Sequence, residues 1–177
     1  EVTQTEAEAN SVNHRSVLIA AIQNVALERF KTLMQFVGFN EPPTEIECFS
    51  TMRSLFDADE ENIVVIDIGA VSTKLYISRK GLLMRMYRLR AGGAVATKRI
   101  AETLGVSFEE AEELKFAADK SSETFVELKK AHNSSYDRAF REFAQVLREY
   151  EDRTGIKLGS VYLTGGGALF PGTAIML

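Results

Sequence analysis

Asp67 lies inside an apolar run, Val64 to Ile77 (VVIDIGAVSTKLYI), just before a small-residue turn that carries Gly69, Ser72 and Thr73. β-Branched flanks favour strands, so the stretch reads as a hairpin with one acid near its tip. A carboxylate at the end of a buried strand is costly without partners. Gly69 lets backbone approach a ligand closely, and successive N–H groups in such a turn form a concavity suited to phosphate oxygens. A carboxylate beside that concavity can hold Mg2+ through water. This would be a phosphate clip on a hairpin, because the chain has no GxxxxGK[ST] run. The bland alternative is an ordinary hairpin with a satisfied acid.

Three other stretches bear on the same chemistry. In VYLTGGGALFPG (Val161 to Gly172), a strand runs into Gly165, Gly166 and Gly167, with a helix expected near Pro171. Such backbone can lie flat against a planar ligand and aim helix N–H groups at an anion, or it can be only a loop. In AEELK (Ala111 to Lys115), Glu112 and Lys115 are i and i+3 and share a helix face. They could grip ribose hydroxyls, or form a solvated ion pair worth little energy. In RAGGAVATKRIA (Arg90 to Ala101), Gly92 and Gly93 lead into a helix; they either serve a tight turn or open space beside a nucleotide. Each signal is modest alone, and their order and spacing together are far more specific.

These residues need a scaffold, and the bulk numbers allow one. The 177 residues are 45% hydrophobic, enough for one domain or two small lobes with a real core. A net charge of −4 without a basic, aromatic-interleaved stripe argues against a nucleic-acid partner. Cys48 is the only cysteine, so no internal disulfide forms; His14 and His132 lie far apart in no metal-ligand spacing. No apolar stretch nears the roughly 20 residues needed to span a bilayer. The polar start shows no signal peptide. The expectation is a soluble, cytoplasmic chain. A first residue other than methionine and a last stretch that stops as a helix begins lead us to expect a piece of something longer.

The periodicity predicts a strand over 17–22 and a helix from Asn24 with Leu27, Phe30, Leu33, Met34 and Val37 on one face, stopped by Gly38. A second strand is expected over 44–48 and a short helix over 49–56. The acidic run at 57–61 marks a lobe boundary. Strands then follow at 62–68, 72–78 and 82–89, turning at Gly69–Val71 and at Arg79-Lys80-Gly81. A helix from Gly93 ends at Gly105, and Ser107 with Glu110 boxes the start of the next, over 108–118. Residues 119–131 read as a small insertion. A long helix from Asn133 or Ser134 carries Tyr136, Phe140, Phe143, Leu147 and Tyr150 in a stripe and ends near Gly155. The order fits an α/β layer with mixed strand pairing.

The series DIGAVSTKL, AGGAVATKRIAETLGVSFEEAEELK and VYLTGGGALFPG resembles the actin-like ATPase superfamily. Within it the chain is most similar to the PilM group of type IV pilus assembly proteins, relatives of the division protein FtsA. The resemblance runs from about Ser16 to the end. It implies a ribonuclease H-like mixed-sheet lobe over 61–177, with residues 1–60 as a partial α+β inserted lobe and its return helix to the first actin-like domain. It also implies that Asp67, Gly69, Ser72 and Thr73 form the second phosphate motif, with Asp67 at the Mg2+ water shell. Glu112 and Lys115 match the ribose and base contacts, Gly165 to Gly167 the adenosine motif, and Gly92 and Gly93 the cleft lining.

The implied cofactors are ATP and Mg2+, and the implied role is a nucleotide-responsive scaffold, at most a weak ATPase, with no catalytic residue assigned. The implied partners are the cytoplasmic tail of a PilN-like inner-membrane protein, the pilus motor complex and a further copy of the chain, which would place it peripheral to the inner membrane. Three departures stand out, the first being that the superfamily's last strand and helix after the adenosine motif are not found in this sequence. No second DxG hairpin occurs in residues 1–60, and Ala70 with Val71 replaces a glycine-rich turn, where Val71 resists positive φ. Rival readings are an interaction scaffold of a type II secretion or division assembly without nucleotide, and a small-molecule kinase, for which no motif assigns a catalytic carboxylate.

Overall fold

A computed structural model describes residues 19, 21–40, 44–57 and 61–176. Ile63, Val64, Val65, Ile66 and Ile68 fill strand β1 (Ile63–Ile68), and all five are buried. An apolar run buried on both faces has to be an inner strand. β1 pairs antiparallel with β2 (Thr73–Arg79) and parallel with β4 (Val161–Thr164), while β3 (Leu82–Leu89) closes the order β3-β2-β1-β4. The second hairpin turns on Lys80 and Gly81, both at positive φ (49° and 73°), the pattern of a two-residue turn that follows the twist of the strands.

Alternation sorts the side chains of β1 onto two faces. Val64, Ile66 and Ile68 join Leu75, Ala96, Tyr136, Phe140 and Phe143 in a core beneath helices α3 (Gly93–Leu104) and α6 (Asp137–Thr154). Ile63 and Val65 join Tyr76 and Leu83 on the opposite face, where Cys48 and Met52 of α2 (Glu47–Leu55) cover them. A third cluster of Ile100, Ala111, Leu128, Ala131 and Phe170 ties α3 to α4 (Phe108–Phe116) and α5 (Phe125–Ser134). Gly105 and Gly155 end α3 and α6 in the left-handed region, as expected for glycine just past a helix. Ser107 accepts a hydrogen bond from the Glu110 N–H at 3.1 Å, one half of the expected capping box.

Several expectations are corrected. Residues 44–46 have no regular structure and α2 starts at Glu47, so no strand forms over 44–48. In the expected strand at 17–22, Ile19, Ala21 and Ile22 are exposed and irregular, and the rest lies outside the described residues. Residues 119–131 contain most of α5 rather than an insertion, and α6 begins at Asp137, after a break at Ser135-Tyr136. The triple glycine opens directly into a 3-10 turn, Gly166–Leu169, and only a second such turn, Thr173–Met176, follows Pro171.

Helix α1 (Asn24–Phe36) forms as the periodicity requires, yet none of its residues is buried, and Phe30, Leu33, Phe36 and Val37 stand in solvent. By contrast α2, on the N-terminal side of the expected boundary at 60/61, packs on the sheet. Met52→Ala should therefore destabilise the chain by about 2–4 kcal/mol in urea denaturation, the cost of emptying a core methionine site; a change near zero would mean that α2 does not dock on the sheet.

Candidate functional site

Parallel pairing of Asp67 with Thr164 carries the chain after β4 across the end of β1. Little room exists there. A Cβ at Gly165 would lie 2.5 Å from the Ile68 carbonyl oxygen and 2.6 Å from Asp67 Oδ1, at a φ of +87°. One at Gly167 would lie 2.2 Å from Ile68 Cγ2, whereas one at Gly166 would meet nothing within 4 Å. Two of the three glycines thus seat the crossing, and the middle one faces open space.

The hairpin turn is fixed from the other side. Gly69 N–H donates to the Ser72 carbonyl at 3.0 Å, and the Gly93 and Ala94 N–H groups donate to the carbonyls of Gly69 (2.9 Å) and Ala70 (2.8 Å). The first turn of α3 is therefore bonded to the hairpin. A Cβ on Gly92 would sit 2.5–2.6 Å from backbone atoms of Val71, Ala70 and Ser72, so this glycine exists for contact between turn and helix. Neither Ala70 nor Val71 takes positive φ; the turn closes without the glycines it lacks.

Between the turn, the glycine crossing and α4 lies a cavity of about 390 Å³. Gly69, Ala70, Gly93, Glu112, Lys115, Gly166 and Gly167 all line it. The same cavity has an apolar rim of Phe108, Phe116 and Leu169 and a floor that includes His132, Tyr136 and Phe170. Phe116 and Leu169 are 81% and 83% exposed, so the rim presents apolar surface to solvent.

Glu112 and Lys115 meet as the i, i+3 spacing requires, with Lys115 Nζ 2.6 Å from Glu112 Oε2. Thr97 of α3, fully buried, joins them: its hydroxyl receives Lys115 Nζ at 2.7 Å and lies within hydrogen-bond reach of Glu112 Oε2 and of the Gly93 carbonyl. Burial pushes the Glu112 carboxyl up, but hydrogen bonds from Lys115 and Thr97 outweigh it and hold the group below the usual glutamate range. Glu112 is thus held as a carboxylate, and both side chains are pre-positioned at the cavity wall.

Asp67 stands apart from the lining. On the α2 side of the sheet, Lys74 Nζ lies 3.4 Å from Asp67 Oδ2 and 2.6 Å from Glu47 Oε2 of α2. Ser72 and Thr73 are buried and already engaged: Arg88 Nε donates to the Ser72 hydroxyl at 3.0 Å, and the Thr73 hydroxyl donates to the Ala91 carbonyl. Of the residues that the sequence nominates, the cavity gathers Gly69, Gly93, Glu112, Lys115, Gly166 and Gly167. Asp67, Ser72, Thr73, Gly92 and Gly165 form the frame behind it. Thr97, His132, Tyr136 and the three phenylalanines Phe108, Phe116 and Phe170 escaped sequence reasoning. The i, i+4 spacing of Gly93 with Thr97 and of His132 with Tyr136 was the available signal.

These residues fit a nucleotide in part. Glycine backbone, apolar rim and charged pair suit a nucleoside, and a single carboxylate suits a water-mediated Mg2+ held also by phosphate oxygens. Among the described residues no cluster of three or more metal-binding side chains occurs, and no helix is long and apolar enough to cross a membrane.

The family described as "Type IV pilus assembly protein PilM" matches residues 3–177. The fold is that of actin-like proteins: a chain of a PilM–PilN type IV pilus biogenesis complex superposes with a TM-score of 0.67 at 21% identity, over 85% of this chain and 44% of that one. MreB5 of Spiroplasma citri bound to AMPPNP gives 0.64 at 16% identity, over 87% and 56%. The ethanolamine utilization protein EutJ of Carboxydothermus hydrogenoformans gives 0.55 at 23% identity, over 72% and 43%. The chain thus spans about half the length of these structures. No curated protein matches it significantly.

Gly92→Ala should cost about 2 kcal/mol or more, because backbone on both sides must yield, while Gly166→Ala should leave the melting temperature within a degree or two. Equal losses would show that the open space at Gly166 is absent in solution. His132 is 1% exposed, and burial, aided by the Lys115 charge and opposed by the Asn133 hydrogen bond, lowers its pKa to about 4. As pH falls, the unfolded chain takes up this proton first, so stability should fall between about pH 6.5 and 4, by about 2 kcal/mol at pH 5. Thermal melts from pH 7 to 4.5 should show this slope, and His132→Phe should flatten it.

Proposed function

The chain belongs to the PilM family of type IV pilus assembly proteins, and we propose that it forms one wall of an actin-like cleft that binds an adenine nucleotide with Mg2+. The observation that carries this reading is the convergence of Gly166 and Gly167, the Gly69–Ala70 turn, and the Glu112–Lys115 pair on one cavity. In this reading residues 61–177 form the second actin-like domain and residues 1–60 the inserted lobe with its return helix.

The base would lie against the Gly166–Gly167 backbone under the rim of Phe108 and Phe116. Glu112 would accept from ribose hydroxyls while Lys115, anchored by Thr97, donates to the sugar or base. Phosphates would follow the 69–72 turn toward Asp67, where the carboxylate orients the hydration shell of the cation. ATP with Mg2+, when bound, supplies a charged tether between this wall and whatever faces it. Ligand contacts made on both walls favour a closed cleft over an open one, which suits a switchable scaffold better than a fast hydrolase. We propose further that the chain recruits a PilN-like tail and, through it, the pilus motors, with self-association as a further outcome and with no catalytic residue of its own.

A second reading has one observation in its favour. Glu112 and Lys115 are satisfied by each other and by Thr97, and Asp67 is neutralised by Lys74, so these groups are in place without any ligand. A scaffold that has lost its nucleotide would look the same. Calorimetry separates the two: ATP with Mg2+ should release heat on binding, Glu112→Ala should weaken binding about tenfold with or without the metal, and Asp67→Asn should remove only the gain that Mg2+ provides. No heat from wild-type protein, together with intact binding of a PilN-like tail peptide, would leave the nucleotide-free scaffold as the function.

A further inference from the structure

We infer that Tyr136 contacts the ligand of this cleft, its phenolic hydroxyl donating a hydrogen bond to an acceptor on the bound nucleoside; this rests on the nucleotide reading above. Tyr136 precedes α6 at its break with α5, is 0% exposed, and lines the same cavity as Gly69, Glu112 and Gly166. Its Oη is buried and has no hydrogen-bond partner among the described residues. The other polar side chains of the cavity do have partners: Glu112 and Lys115 hold each other and Thr97, and His132 Nδ1 lies 3.1 Å from Asn133 Oδ1.

The fold gains nothing visible from this hydroxyl. The ring does the packing, 5.9 Å from Phe140 in a stacked pair and 5.1 Å from His132 in a tilted one, and a phenylalanine would serve equally. A buried donor without a partner costs stability, so its presence calls for an occasion on which it is satisfied. Burial, reinforced by the nearby Glu112 charge, lifts the phenol to about 12, so it is a neutral donor at any physiological pH. Beside it lie backbone glycine, an apolar rim and a carboxylate, which together suit a flat heterocycle carrying hydroxyls. The acceptor is then a ring nitrogen or a sugar oxygen.

The test is calorimetry of the 177-residue chain with ADP and with 2′-deoxy-ADP, on wild type, Tyr136→Phe and Phe140→Leu, with a thermal melt of each. Tyr136→Phe should bind ADP about three- to tenfold more weakly, the loss expected of one neutral hydrogen bond, and should melt no lower than wild type. A loss confined to ADP places the acceptor on the 2′-hydroxyl, and an equal loss with both nucleotides places it on the base or on another sugar oxygen; either supports the assignment. Unchanged affinity in Tyr136→Phe overturns it, and a lower melting temperature with that result would mark a hydroxyl satisfied by water. An equal loss in Phe140→Leu, which loosens the same aromatic layer without reaching the cavity, also overturns it. Wild type that binds neither nucleotide overturns the proposed function itself, a result that the variants do not imitate.

Discussion

Parallel pairing of β4 with β1 is the constraint on which the site depends. β1 is buried on both faces, so it cannot shift register without moving its apolar side chains from one core to the other. With register fixed, Thr164 falls opposite Asp67, and the chain beyond it has to cross a strand end where Ile68 and Asp67 leave no space for a side chain. Glycine at 165 and 167 is the answer to that crowding. The backbone they allow then becomes one side of the cavity, with the hairpin turn as the next side because Gly92 lets α3 dock on it.

Much of this was legible in the residues. The hairpins, the mixed sheet, α3 with its left-handed stop at Gly105, and the Ser107 cap follow from local signals that no tertiary contact overrides. The family resemblance led to the right fold and family. What misled was the reading of short apolar runs: Thr44 to Cys48 has strand composition, but Cys48 and Met52 had to reach the same face of the sheet, and a helix puts i and i+4 there. Helix α5 was lost because its polar sequence hides a narrow buried stripe at Leu128, Ala131 and His132.

Within the site, spacing foretold company but not exposure. Glu112 and Lys115 do share a face, yet Thr97, eighteen residues before Lys115, completes the group only because α3 and α4 pack together. Ser72 and Thr73 looked like ligand hydroxyls and instead hold the hairpin to β3 and to the loop before α3. A single sequence shows that a hydroxyl is present; which way it bonds is decided by neighbours brought in from elsewhere. The same holds for the aromatic layer of Phe125, Phe170, His132, Tyr136 and Phe140, whose members come from three separate segments.

Helix α1 carries a different lesson. Its apolar stripe, Phe30, Leu33 and Phe36 with Val37 just beyond, is in contact with water rather than with a core. Water penalises such a surface in proportion to its area, and a net charge of only −4 offers weak mutual repulsion between molecules. Concentrated solutions of the isolated chain will therefore be colloidally unstable, and added salt, which screens what repulsion there is, will worsen clustering rather than relieve it.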